Sequence, residues 1–292
     1  MKIAILIDSS AYIEEEYINN TNIFLIPLKV VNGQITFNDT RINFIEQNLQ
    51  NIICNKNSNI KTSMVPPGEL EEIYDNILKK YDRIYHFPIA VNLSSMYASS
   101  VQLAKEDKYK DKIFVFGHYV TAAQLGDFAK YINVKCQENP ALSPDEVQRE
   151  LDNWAEQSWT YFIPSDIARL SKSGRTKTLL ITLLKILRTR VCIEWAENPI
   201  KFAFSPKLSQ IAEKICKHIL STYTKNQFTI KFHRAFYIEN DSKEIRLMLK
   251  VFETHGFNIE VIDCPSVYLI HAGGESIGIS IINDELKKVY QK

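Results

Sequence analysis

The apolar positions of the first half fall into short runs that alternate with helical stretches. Ile3–Ile7 is almost wholly apolar, the pattern of a strand buried on both faces of a parallel sheet. Ile23–Val31 is a second apolar run, interrupted by Pro27, which suits an edge or a bulge better than a central strand. Asn32-Gly33 is a hairpin turn signal, because both positions accept positive φ, and it predicts that Gln34–Phe37 pairs back on that run. Helices are predicted over Asn43–Ile53 and Pro67–Lys80, with Pro67 at a first turn where its missing N–H is no loss. Arg83–Ile89 and Ile113–Phe116 read as further strands, each followed by a helical stretch, Met96–Leu103 and Ala122–Tyr131. Such alternation implies a parallel sheet covered by helices.

After a polar break at Gln137–Ser143, Ser143-Pro144-Asp145-Glu146 opens a helix as a capping box. The pattern then changes. Strand-like runs at Trp159–Ile163, Arg190–Trp195 and Ile200–Phe204 are followed by others at Phe257–Ile262, Tyr268–Ile270 and Ile277–Ile282. Helices are predicted at Thr178–Leu187, Ser209–Tyr223 and Asp241–His255, the last stopped by Gly256. The expected fold class is α/β in two domains. An N-terminal parallel α/β domain spans 1–142, and a C-terminal domain with a mixed or antiparallel sheet and helices spans 143–292. Part of 43–66, within the first, is expected to pack with the second.

Composition changes this picture little. A 45% hydrophobic and 24% charged chain of 292 residues is an ordinary globular protein with room for two domains. A formal charge of +1 gives no reason to expect a nucleic-acid partner, and at most transient membrane contact. The opening apolar run is too short for a signal peptide, and no stretch approaches 18 uninterrupted apolar residues. Five scattered cysteines without a CxxC pair fit thiols in a reducing cytosol, with no metal site. The expected location is therefore cytoplasmic.

Candidate chemistry lies at strand ends, where open parallel sheets bind ligands. Asp8-Ser9-Ser10 follows the first strand, Ser94-Ser95 lies in the loop after Arg83–Ile89, and Thr62-Ser63 precedes the Pro66-Pro67-Gly68 helix start. Hydroxyls beside helix N-termini suit a carboxylate or phosphate. Read alone, each is equally an ordinary N-cap.

Taken together, these segments resemble the DegV family, in its fatty-acid-binding (FakB-type) form. Asp8-Ser9-Ser10 resembles its first motif, and the hairpin ending near Asn38-Asp39 its second. Thr62-Ser63-Met64-Val65-Pro66-Pro67-Gly68-Glu69 is similar to its Thr-Ser-x-Pro-x-Pro-Gly-Glu segment, with one proline displaced. Leu93-Ser94-Ser95-Met96-Tyr97 resembles Leu-Ser-Gly-Thr-Tyr. Leu170-Ser171-Lys172-Ser173-Gly174-Arg175 resembles Leu-x-x-Gly-Gly-Arg, and His271-Ala272-Gly273 the His-x-Gly segment.

The resemblance implies a fatty acid, such as palmitate, stearate or oleate, held in a tunnel between two domains. It implies that Thr62 and Ser94 bond the carboxylate, with Ser63, Ser95, Asp8, Ser9 and Ser10 around it and His271 near the head group. It also implies a separate fatty-acid kinase that phosphorylates the presented carboxylate, with Arg175 as a docking residue. The chain itself would be no enzyme and need no cofactor; it has no GxxxxGK[ST] and no GxGxxG after a strand.

Some positions depart from the family pattern. Ser95-Met96 replaces a Gly-Thr pair, Gly117-His118 an Asp-Ser pair, and Gly274-Glu275 a Pro-Gly pair. The segment aligned with arginine-bearing stretches reads Lys201–Lys207. Two alternatives stay open: a storage or sensing protein without a kinase, and a serine hydrolase or acyltransferase using Ser94 and His271.

Overall fold

The computed structural model describes residues 1–55, 58–172, 189–223, 228–238 and 242–291. The chain divides into two compact units. One comprises Met1–Gln47, Asn59–Gln157 and Leu286–Lys292; the other comprises Asn48–Ser58 and Ser158–Glu285.

Unit 1 is built on a parallel sheet in the order β2-β1-β6-β7, with β1 at Ile3–Asp8, β2 at Ile23–Ile26, β6 at Arg83–Phe87 and β7 at Ile113–Val115. Every residue of β1 is buried, as a double-covered central strand requires. Pro27 ends β2 at the sheet edge. The chain continues as β3 (Lys29–Asn32) in a second, antiparallel sheet with β4 (Ile35–Asn38) and β5 (Ile60–Ser63), in the order β4-β3-β5. The predicted hairpin is present, with Gly33 at φ 62° in its turn.

Helix α6 (Ala123–Glu138) packs on β1, and α7 (Pro144–Glu156) packs on α6. Their aromatic rings continue the stack of β6: Phe87 lies 4.7 Å from Phe116 and 5.2 Å from Phe128, which in turn meets Trp154 at 5.7 Å. The capping box forms as expected. Ser143 Oγ accepts from Glu146 N at 3.3 Å, and Glu146 Oε2 accepts from Ser143 N at 2.8 Å.

Unit 2 is a six-stranded mixed sheet, in the order β10-β9-β8-β13-β11-β12. Its strands are β8 (Ser158–Ile163), β9 (Arg190–Trp195), β10 (Ile200–Ser205), β11 (Phe228–Arg234), β12 (Asn258–Asp263) and β13 (Ile277–Asn283). Among the described residues of this unit, only β11 and β12 pair in parallel. Helices at Leu208–Thr222 and Lys243–Thr254 bring Ile211, Ile215, Met248 and Phe252 into its core, against Phe232 and Ile279.

The structure corrects three local expectations. The helix predicted over 43–53 is two, Arg41–Glu46 and Leu49–Cys54, because Asn48 takes a left-handed conformation (φ 51°) that asparagine tolerates. The run predicted as a strand at 268–270 is a helix, Ser266–Ala272, opened by Pro265; a short apolar run has no periodicity to tell the two apart. Strand β11 was not predicted, because Lys231 and His233 break its apolar run. Both are buried, His233 Nε2 lying 2.9 Å from Ser280 Oγ and Lys231 Nζ 3.9 Å from Glu260. The predicted helix over 178–187 lies outside the described residues.

Candidate functional site

The strand ends of unit 1 gather the first of the predicted groups. Asp8 closes β1 fully buried, and its carboxylate accepts three hydrogen bonds. Oδ1 receives Ser10 N at 3.0 Å and Ser10 Oγ at 2.6 Å, and Oδ2 receives Ile89 N at 2.6 Å. Ser9 Oγ donates to Asp39 Oδ2 at 2.6 Å and accepts from Leu28 N at 3.0 Å. A serine hydroxyl has one hydrogen to give. The hydrogens of Ser9 and Ser10 therefore point at Asp39 and Asp8: Ser9 ties the end of β1 to Leu28 before β3 and to Asp39 after β4, while Ser10 bonds Asp8, whose other oxygen holds the loop after β6.

Burial lifts the Asp8 carboxyl to about 6, against the pull of the bonds from Ser10 and Ile89; the nearby Asp39 adds to the rise. Two buried histidines stand in or just after the neighbouring strands β6 and β7. His86, within β6, places Nδ1 2.7 Å from the Tyr74 hydroxyl, and burial together with His118 holds it down to about 3. His118 follows β7, and its carbonyl accepts from Val91 N at 3.0 Å in the loop that carries Ser94. Burial takes it to about 4 despite backbone contacts at Val120 and Pro88. Both rings are uncharged at neutral pH.

Ser94 is half-buried, and its Oγ accepts from Met96 N at 3.2 Å in the first turn of α5 (Met96–Ala104). Ser95 precedes that helix, exposed and without a side-chain cap bond. Thr62 and Ser63 end β5. Cross-strand pairing sets Thr62 opposite Val30 and Ser63 opposite Lys29. Adjacent strand residues face opposite sides of a sheet, so the two hydroxyls point away from each other. Thr62 is half-buried and Ser63 exposed.

His271 belongs to unit 2, in the last turn of the Ser266–Ala272 helix. The glycines after it sit in crowded backbone. A Cβ on Gly273 (φ 100°) would lie 2.3 Å from Ser165 Oγ, and one on Gly274 2.4 Å from the Tyr237 hydroxyl. Tyr237 in turn donates to Gly274 O at 2.9 Å. Arg169 clamps the same unit, donating to Asn55 O at 2.7 Å and Ser58 Oγ at 3.1 Å. Arg175 lies outside the described residues.

The sequence reading passed over Lys29. It is buried in β3, and its ammonium lies 2.5 Å from Asn38 Oδ1 and 2.5 Å from Glu69 Oε2. A lysine inside the run Leu28-Lys29-Val30-Val31 was the available signal, since a buried charge requires a partner. Among the described residues, no group of histidines, cysteines and carboxylates is arranged to hold a metal, and no helix is long and apolar enough to cross a membrane.

Known proteins share this architecture. The model of the DegV family, described as uncharacterised proteins, matches residues 2–284. A DegV domain-containing protein of Mycoplasmopsis pulmonis is 28% identical over 299 residues, which cover 97% of this chain and 95% of the relative. A stearic acid-binding protein from Eubacterium ventriosum superposes with a TM-score of 0.82 at 16% identity, over 98% of this chain and 99% of that one. DegV of Bacillus subtilis, a fatty acid binding protein, superposes with a TM-score of 0.75 at 22% identity, over 97% and 99%. At these identities the two solved structures establish the fold.

Proposed function

Because the chain belongs to the DegV family, we propose that it binds a long-chain fatty acid and presents the carboxylate to a separate fatty-acid kinase. The observation that carries the reading is the match of nearly the whole chain to the fold of proteins that bind stearic acid or other fatty acids. The site chemistry supports it. A carboxylate needs a few oriented donors, and Thr62 and Ser94 are hydroxyls near strand ends of unit 1. In this reading Asp8, Ser9 and Ser10 hold the loops around the carboxylate, through Asp39, Leu28 and Ile89. Ser63 and Ser95 extend the polar rim, and His271 supplies a further head-group contact.

Affinity comes mainly from the tail. About 14 buried methylenes at roughly 0.8 kcal/mol each give on the order of 11 kcal/mol before ordering costs. The protein is a cytoplasmic carrier in this reading. The kinase brings the nucleotide site, and the segment around Arg175 meets the kinase. A hydrolytic role for Ser94 is less well supported, since a nucleophile needs a base at its Oγ and the bond described there comes from Met96 N.

Native mass spectrometry of purified protein tests the binding, with an acyl chain of roughly 14 to 18 carbons expected. Repeated recovery of empty protein that also fails to take up added palmitate or oleate overturns the reading. A phosphotransfer assay with the cognate kinase tests presentation, and a bound but unphosphorylated lipid leaves only the storage role.

A further inference from the structure

The three-stranded sheet of unit 1 places two side-chain rows on its opposite faces. Asn38, Lys29 and Ser63 are paired across β4, β3 and β5 and form one row; Phe37, Val30 and Thr62 form the other. The first row is charged and tied down. Lys29 has three ammonium hydrogens and three oxygens to receive them: Asn38 Oδ1 at 2.5 Å, Glu69 Oε1 at 2.7 Å and Glu69 Oε2 at 2.5 Å. Asn38 is itself held, its carbonyl accepting from Asn43 Nδ2 at 2.8 Å. Glu69 stands in the first turn of α4 (Pro67–Leu78), the helix that follows β5. One buried lysine therefore fixes the hairpin on one side of β3 and the continuation of β5 on the other.

This matters because β5 specifies its own register poorly. It is an edge strand of four residues, Ile60-Lys61-Thr62-Ser63, with Lys61 and Ser63 exposed and only Ile60 buried. A slip of one residue turns every side chain of a strand to the other face. Here a slip exchanges two hydroxyls, so that Ser63 takes the place of Thr62 beside Val30. We propose that the Asn38–Lys29–Glu69 cluster is the register lock of β5, and that Lys29 is a positioning residue that selects Thr62 as the hydroxyl offered to the ligand. The inference rests on the fatty-acid reading for its ligand, and on pairing geometry alone for the lock.

Two measurements separate those parts. Amide hydrogen exchange on ligand-free protein reads the lock directly. In the Lys29→Met/Glu69→Gln double variant, protection at 60–63 should fall while the β1–β6 pairing stays protected; Lys29→Arg should keep the wild-type pattern. Calorimetry with palmitate reads the selection. Thr62→Ala should weaken binding at least about tenfold in the wild-type background, the worth of a hydrogen bond to a charged acceptor. In the double-variant background the same substitution should cost less than about threefold, and Ser63→Ala should weaken binding more than it does in the wild type. A merely structural lysine would lower all affinities and leave the Thr62 effect unchanged.

Unaltered exchange at 60–63 in the double variant overturns the lock, as does a full Thr62 effect in both backgrounds. If the double variant does not fold, Glu69→Gln alone should show the same changes at smaller size, and unaltered exchange there overturns the lock equally. Wild-type protein that binds no palmitate overturns the fatty-acid reading and the role of Thr62 with it, while the exchange result still decides the lock.

Discussion

The backbone N–H of Ile89 donates to Asp8 Oδ2 across 2.6 Å, tying the loop after β6 to the end of β1. The other carboxylate oxygen is occupied by Ser10, so every orientation of an amide in its place sets an NH2 against an N–H. Asp8→Asn should therefore lower the unfolding free energy by about 1–3 kcal/mol, the cost of buried donors left without an acceptor. Urea denaturation at pH 7 measures this. An unchanged midpoint would mean that the loop is held by other contacts.

The buried histidines make the fold sensitive to acid. His86, His118 and His233 are held at about 3, 4 and 3, below their ordinary value near 6.5. As pH falls below 6.5 the unfolded chain takes up protons that the folded protein refuses, so stability drops steadily toward pH 4. Asp8 acts in the opposite sense. Its folded value of about 6 exceeds its unfolded value, so its contribution is complete below about 3.8 and is lost as pH rises through 6. Three groups outweigh one, and denaturant midpoints between pH 7 and 4.5 should fall. A flat or rising profile would contradict the burial of these rings.

Gly126 offers a reversal of the usual helix rule. Within a helix, alanine exceeds glycine by about 1 kcal/mol. A Cβ at Gly126, however, would lie 1.8 Å from the backbone oxygen of Tyr12, which cannot rotate away. Gly126→Ala should destabilise by roughly 1–3 kcal/mol, as overpacking does, and thermal unfolding measures the sign directly.

Thr62 and Ser94 together should matter more to the ligand than to the fold. The Thr62→Ala/Ser94→Ala double variant is expected to bind palmitate at least tenfold more weakly, with a native circular dichroism spectrum. Unchanged affinity would place the head group elsewhere.

Arg175→Glu should leave fatty-acid affinity within about twofold yet abolish phosphorylation by the kinase, since a mismatched charge at a docking site costs several kcal/mol. Loss of lipid binding would instead make Arg175 a ligand contact, and normal phosphorylation would move the kinase to another surface.

Much of the architecture was legible because periodicity and turn chemistry agreed. The Ile3–Ile7 run, the hairpin glycine Gly33 and the Ser143–Glu146 box each behave as their residue types dictate, although the turn falls one position later than expected, on Gly33-Gln34, with Asn32 still paired to Ile35. Errors arose where tertiary contacts satisfied residues that look wrong in sequence. Lys231 and His233 read as breaks in a strand because their partners, Glu260 and Ser280, are remote along the chain. Lys29 was overlooked for the same reason, its acceptors being 9 and 40 positions away. The candidate hydroxyls were visible as residue types and as a family pattern. Their directions were not, because which face Thr62 or Ser63 occupies depends on the pairing of β5 with β3.

Unit 1 is assembled from three separated stretches, and the last of them is Leu286–Lys292. Tyr290 closes it, its carbonyl accepting from the Tyr17 hydroxyl at 3.2 Å and its ring standing 6.4 Å from Trp154. On the ribosome, the unit begun first thus waits for residues made after the 158–285 portion of unit 2. Unit 2 has its 158–285 portion fully synthesised before the final turn of unit 1 emerges. Nascent chains halted near residue 285 should therefore keep the Trp154 region accessible to protease, and a chaperone that shields it has the rest of translation in which to act.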